Sequence, residues 1–278
     1  MLCGGIRTFR RFRRMSHAEP EAFQRQRCAL FFRAGPSDQS SNIKYQGFLL
    51  ALYTSQSEMS CESIDPGRCA KQSAITVNGN TFSLHGATST YSFYVSDSGD
   101  LIHSHFGGTS HSPSPPVPQI FDGGWIYGPS NYAGKAQREF PDLGNGDFRQ
   151  PAIRLRHGGT TVTSLHYPGY EIVEGKVEIE GLPSTWGDAS AATTLLVTLV
   201  DAIAHIECTL SYSIFPAHDA VVRSVEIRNT GTKEVVVEAA ASFSLDFPSG
   251  DREMIGLSGD WGREGQVFRR PIFAGQQG

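Results

Sequence analysis

Trp125, Tyr127 and Tyr132 crowd one stretch of the chain, and aromatic rings with polar edges suit the apolar face of a sugar ring or a protein interface. The competing reading is that they pin this stretch onto neighbouring strands. His103 and His105 share a strand face and His111 follows, an arrangement that invites a metal. No fourth ligand stands at a workable spacing, so satisfied or solvated histidines are expected, with neither metal nor cofactor. Asp142, Asp147 and Asp246 sit beside Gly or Pro, where turn carboxylates usually accept backbone N–H groups. They are expected to brace turns, and no pair of them is expected to act as acid and base. Arg149 follows Asp147 closely enough to pair with it or brace the same turn.

The aromatic stretch spans residues 107–135, which carry Gly107-Gly108, Pro113, Pro115, Pro116, Pro118, Gly123-Gly124 and Gly128-Pro129. Proline fixes φ and removes ladder donors, so this segment cannot lie inside a sheet. Irregular loops of this length are uncommon in compact domains and often carry function. The surrounding residues must supply its scaffold. From Ser73 onward, short β-branched and aromatic runs alternate with Gly, Asn, Asp and Pro, a pattern of many strands joined by turns. Hairpins are expected at Asn78-Gly79-Asn80, at Asp97-Ser98-Gly99-Asp100, and at Asn229-Thr230-Gly231-Thr232 leading into Val235-Val236-Val237. Further strands are expected at 152–155, 162–167, 170–173, 195–201, 206–215, 221–229 and 235–245. Gly and Pro interrupt every helical period beyond residue 73, so no helix of more than two turns is expected. The expected fold is all-β, a large antiparallel β-sandwich. Alternation in 220–229 places Val221, Arg223, Val225 and Ile227 on the inner face, so Arg223 is an inward charge that needs a partner.

Residues 1–72 differ in kind. They hold 11 Lys/Arg against 6 Asp/Glu, whereas the remainder holds 13 against 22. The acidic part has no footprint for a phosphate backbone, which argues against nucleic acid. The apolar run 48–53 is far below the roughly 20 residues a bilayer helix needs, which argues against a membrane span. Arginines crowd the first 33 residues without an apolar stretch behind them, so no secretory signal is read and a cytoplasmic location is favoured over secretion. The segment 1–72 is expected to be a poorly ordered or mispredicted basic leader, with 73–278 as the folded domain. Cys3, Cys28, Cys61 and Cys69 lie in the leader and only Cys208 in the domain, so no disulfide framework is expected there and the thiols are read as free.

Residues 138–151, Arg-Glu-Phe-Pro-Asp-Leu-Gly-Asn-Gly-Asp-Phe-Arg-Gln-Pro, begin a series of ordered motifs. Tyr170-Glu171-Ile172 with Gly175-Lys176, Gly181-Leu182-Pro183-Ser184-Thr185-Trp186 and Ala192-Thr193-Thr194-Leu195 continue it. Arg223 to Gly231, Ser242 to Pro248, Leu257 to Glu264 and Arg270-Pro271 complete it. Over about 200 residues the chain resembles the amino-terminal domain of glycoside hydrolase family 36, the α-galactosidases. The resemblance implies a β-supersandwich preceding a (β/α)8 barrel with two catalytic aspartates and a small carboxy-terminal β domain. Neither barrel motif stands in this chain, so it implies a module inactive alone, with no catalytic residue of its own. The family's reaction is retaining hydrolysis of terminal α-galactosides, which uses two carboxylates about 5–5.5 Å apart. In several members the amino-terminal domain, often from a neighbouring subunit, lends an aspartate and an arginine to the sugar site. Asp122, in Phe121-Asp122-Gly123-Gly124, matches the aspartate, and Lys135 and Arg138 are the nearby cations. The expected sugar contacts are thus Asp122, Trp125 and Tyr127, and the expected partners are galactose-containing oligosaccharides, the barrel and a homo-oligomer. Trp186 and Trp261 are expected to hold strands or the domain junction. The alternative function is a free-standing carbohydrate-binding β-sandwich.

Overall fold

The computed structural model describes residues 73–110, 137–145, 151–179, 184–247 and 253–271, with backbone alone for 26–31, 42–48 and 246–247. The chain divides into two compact units, Arg27–Phe247 and a second formed by Met1–Gln26 with Pro248–Gly278. Among the described residues the larger unit holds three sheets built from twelve strands. β9 (Thr193–Asp201), β10 (Ile206–Phe215) and β11 (Ala220–Asn229) form the middle of a five-stranded sheet of order β2-β11-β10-β9-β8. β10 shows why they are strands: Ile206, Cys208, Leu210, Tyr212 and Ile214 alternate with Glu207, Thr209, Ser211 and Ser213, and the apolar set is buried. Burying each large apolar side chain contributes about 1.5–3 kcal/mol. The edge strand β8 (His166–Glu174) joins the expected 162–167 and 170–173 runs, with a bulge between His166 and Gly169. Residues 162–165 are left off the ladder.

β3 (Ile75–Asn78), β4 (Thr81–His85), β5 (Ser89–Val95) and β6 (Leu101–Gly108) form a meander. Two of its three turns are the expected hairpins, with Gly79 at φ +55° and Gly99 at φ +81°, and the third, at 86–88, joins β4 to β5. The meander packs face to face on the five-stranded sheet: the Phe93 ring stacks 4.8 Å from Tyr212, and Tyr91 lies 6.2 Å from the same ring. A third sheet, β1-β12-β7, adds Ile153 and Leu155 from β7 (Ile153–Arg156) and Ala241, Phe243 and Leu245 from β12 (Val236–Phe247) to the same core. The described residues contain no α-helix, only a 3-10 turn at Pro216–His218. None is long and apolar enough to cross a membrane.

Three expectations are corrected. The turn at 229–232 does not make a hairpin, because β10 and β2 already occupy both edges of β11. Instead Thr230 donates its N–H to the His205 carbonyl (2.8 Å), Gly231 packs against the His205 side chain, and β12 enters another sheet. Two strands are also described within 1–72. β1 (Gln26–Phe31) joins β12, and β2 (Asn42–Phe48) pairs with β11 so that Ile43, Tyr45 and Gly47 stand opposite Ile227, Val225 and Arg223. The rest of 1–72 lies outside the described residues. Asp246 belongs to β12 and not to a turn. Finally, Trp186 and Trp261 are 82% and 94% exposed, which overturns the strand-holding half of their expected role and leaves the domain-junction half as an expectation.

The smaller unit contributes one described element, a hairpin of β13 (Glu253–Ser258) and β14 (Gln266–Pro271).

Candidate functional site

The loop that carries the expected sugar contacts is anchored at both ends on the meander. At its exit, Thr109 donates its N–H to the Thr88 carbonyl (3.0 Å) and Ser110 to Thr90 Oγ1 (3.1 Å). At its return, the His103 N–H reaches the Gln137 carbonyl (2.6 Å) and the Glu139 N–H reaches the Leu101 carbonyl (3.0 Å). Residues 137–139 thus run antiparallel to β6, with Ile102 bridged to Arg138. Asp122, Trp125, Tyr127, Tyr132, Lys135 and His111 lie between these anchors and outside the described residues; Asp147 and Arg149, beyond the return anchor, also fall outside them.

The return strand delivers Glu139 into the centre of the core. It is fully buried, and its carboxylate meets four side chains drawn from both faces of the sandwich. Tyr91 Oη donates to Oε2 at 2.6 Å, Tyr212 Oη to Oε2 at 3.0 Å, and His103 Nδ1 lies 2.8 Å from Oε1. Arg223 Nη1 stands 3.2 Å from Oε2, while its Nη2 donates to Tyr212 Oη (3.0 Å) and to the Glu139 carbonyl (3.4 Å). The guanidinium lies 4.3 Å above the Tyr212 ring and 5.3 Å from that of Phe243. Glu139 is therefore the partner that Arg223 required.

Burial opposes ionisation of Glu139, but the Arg223 charge and the His103 and Tyr91 hydrogen bonds outweigh it and hold the carboxyl below its usual range. Burial and the adjacent Glu139 charge push the Tyr91 hydroxyl well up. Burial does the same to Tyr212. The cluster is a sealed ion pair with no approach for a substrate. It locks the loop's return strand to β10 and β11.

Beside it, Arg138 pairs with Asp100 (3.2 Å) and donates to the Asn145 carbonyl. Asp142 accepts N–H groups from Leu165 (2.7 Å) and Asn145 (3.1 Å), which explains why 162–165 leave the ladder. Asp142 thus braces a turn, as its setting suggested. Burial pushes its carboxyl up to about 6, against the pull of those N–H donors. Asp201 completes the set by accepting from Ser164, Ile203 and Ala204.

The two histidines do not share a face. A bulge shifts the β5–β6 register between Ser92 and Phe93, so His105 stands opposite Ser92 and His103 opposite Phe93. His103 turns into the core, and His105 Nε2 meets the Gly108 carbonyl at 3.0 Å. No group of three or more His, Cys, Asp or Glu able to hold a metal occurs among the described residues. Glu139 was the residue that sequence reasoning missed. Its signal is a charged doublet, Arg138-Glu139, ending a Pro- and Gly-rich loop directly before Phe140-Pro141.

Residues 99–278, which include the loop, its return anchor and the whole charge cluster except Tyr91, match the glycosyl hydrolase family 36 N-terminal domain. The chain belongs to glycosyl hydrolase family 36. Among curated relatives, the probable α-galactosidase C of Aspergillus oryzae is 46% identical over 212 residues, covering 75% of this chain and 28% of that protein. The α-galactosidase 2 of Hypocrea jecorina is 45% identical, with 74% and 28% covered. Among solved structures, the family 36 α-galactosidase AgaB of Geobacillus stearothermophilus superposes with a TM-score of 0.65 at 31% identity, over 72% of this chain and 28% of that one. The chain therefore spans a little over a quarter of the length of these family 36 relatives.

Proposed function

We propose that this chain serves as the non-catalytic N-terminal domain of an α-galactosidase. The observation that carries this reading is its 46% identity to an α-galactosidase over a stretch that makes up only 28% of that protein. The chemistry of the described residues agrees with it. Retaining glycosidases need two accessible carboxylates about 5–5.5 Å apart. The buried carboxylates here, Asp100, Glu139, Asp142 and Asp201, are each committed to side-chain or backbone donors.

The domain's contribution is to hold the 111–136 loop at the edge of the sugar site, with Asp122, Trp125 and Tyr127 as its galactoside contacts. Related AgaA variants have been crystallised with raffinose and with stachyose, which supports galactosides of this class as the ligands. The test uses purified 1–278, alone and joined to the C-terminal remainder of the Aspergillus oryzae relative. Raffinose hydrolysis is expected from the fusion and not from 1–278, and Asp122→Ala in the fusion is expected to raise KM. Hydrolysis by 1–278 alone would overturn the reading. A fusion that binds raffinose without cleaving it would favour a carbohydrate-binding module.

A further inference from the structure

Both feet of the 111–136 loop rest on one hairpin, β10–β11. At the return foot, Glu139 is held by Tyr212 of β10 and Arg223 of β11. The exit foot, Thr109 and Ser110, hangs on Thr88 and Thr90, and the turn that carries Thr88 is tied to the connection between β10 and β11. That connection is the 3-10 turn Pro216–His218 followed by Asp219, at φ 49° and ψ 33°. Asp and Asn enter this left-handed region more readily than other non-glycine residues.

Four donors from the opposite layer reach the Asp219 carboxylate. Thr88 gives its N–H to Oδ1 and its hydroxyl to Oδ2, each at 2.8 Å, and Ser89 gives its N–H (3.0 Å) and hydroxyl (2.8 Å) to Oδ1. Ala87 adds its N–H to the Pro216 carbonyl at 3.0 Å. Gly86 leaves room for the approach, since a Cβ there would fall 2.1 Å from Asp219 Oδ1. Burial opposes ionisation, but the Thr88 and Ser89 hydrogen bonds outweigh it and hold the carboxyl below its usual range. Hydrogen bonds to an ionised acceptor are roughly twice as strong as neutral ones. From the carboxylate the chain of contacts is short: the Thr88 carbonyl accepts the Thr109 N–H (3.0 Å), and Ser89 stands opposite Gly108 at the end of the β5–β6 ladder.

We infer that Asp219 is a positioning residue for galactoside binding, fixing the exit foot from which the chain leaves toward Asp122, Trp125 and Tyr127, an inference that rests on the proposed function. Its bonds join two layers across 130 and 131 residues of sequence. Asp188 is the contrasting case, a carboxylate that accepts from Ser190 and Ala191 within its own turn. Asp219 and Glu139 thus do one job from two ends, each tying a foot of the loop to β10–β11.

The test is made in 1–278 and in its fusion with the relative's C-terminal remainder. Asp219→Gly removes the carboxylate and keeps a residue suited to the left-handed backbone, while Asp219→Asn keeps an acceptor in the place of Oδ1. In 1–278, Asp219→Gly is expected to speed hydrogen exchange of the Thr109 and Ser110 amides by more than it speeds that of Leu210 and Val225 in β10 and β11. In the fusion it is expected to raise KM for raffinose about tenfold with kcat within about twofold, and Asp219→Asn is expected to restore most of the loss. Thr194→Val removes a buried hydroxyl bond between β9 and β10, Thr194 Oγ1 to Ser213 Oγ at 2.7 Å, and serves as the control for lowered stability. It is expected to leave KM unchanged. An unchanged KM in Asp219→Gly, a rise shared by Thr194→Val, or equal acceleration of exchange at the foot and in the core would each overturn the inference. A fusion that cleaves raffinose with Asp219→Gly unaffected sinks the inference and leaves the proposed function standing. In a fusion that binds raffinose without cleaving it, the proposed function falls, and a dissociation constant raised by Asp219→Gly and restored by Asp219→Asn still supports the positioning role.

Discussion

Arg223 lies in an apolar core because Glu139 neutralises it and two tyrosines and a histidine satisfy what remains of the pair. Removing one partner from a buried pair costs about 3–5 kcal/mol, because the other charge is left uncompensated. Glu139→Gln and Arg223→Met should each lower stability by about that amount, and the double variant by clearly less than the sum, as read by urea unfolding. Additive losses would show that the two residues act separately. Glu139 has a depressed pKa, so its share of stability is present above its ordinary value of 4.5 and is lost as pH falls through the folded value. Asp142 has the opposite sign. Its carboxyl is raised from 3.8 to about 6, so its contribution is full below about pH 4 and is lost as pH rises through about 6. That amounts to about 3 kcal/mol by pH 7. Wild type should therefore gain stability relative to Asp142→Asn as pH falls from about 7 to about 4. A constant difference between the two proteins would refute the shift. Strand alternation alone made Arg223 legible as an inward charge. Glu139 was not legible, because it follows an aperiodic loop and meets Arg223 from 84 residues away.

At the level of elements, local chemistry was readable and edge occupancy was not. Asn78-Gly79-Asn80 and Asp97-Ser98-Gly99-Asp100 specify reversals within a few residues, and both hairpins form there. The turn at 229–232 has the same composition, yet its outcome depends on β2 and β10 having taken both edges of β11. No local pattern reports that. The His103/His105 pairing failed for a related reason, since a one-residue bulge reverses the face of every side chain beyond it. β13 and β14 show what an element does without a covering layer. In 1–278 their amides should exchange with deuterium quickly, while those of β9, β10 and β11 exchange at the rate of global unfolding. Equal protection in both places would mean that the hairpin is already covered in this chain.

For the molecule as a whole, the composition and strand pattern were sufficient for an all-β sandwich, and the ordered motifs were sufficient for the family. Residues 1–72 were harder to read, because β2 pairs with a strand some 180 residues later and β1 neighbours one that is further away still. The charge cluster at the sandwich centre also bears on how the chain is made. Glu139 leaves the ribosome before Arg223, and the 84 residues between them take about 4–17 s to synthesise at about 5–20 residues per second. Throughout that interval the segment returning beside β6 carries a carboxylate whose arginine partner has not been made. Closure of the two layers over that carboxylate is therefore expected to wait until β11 has emerged.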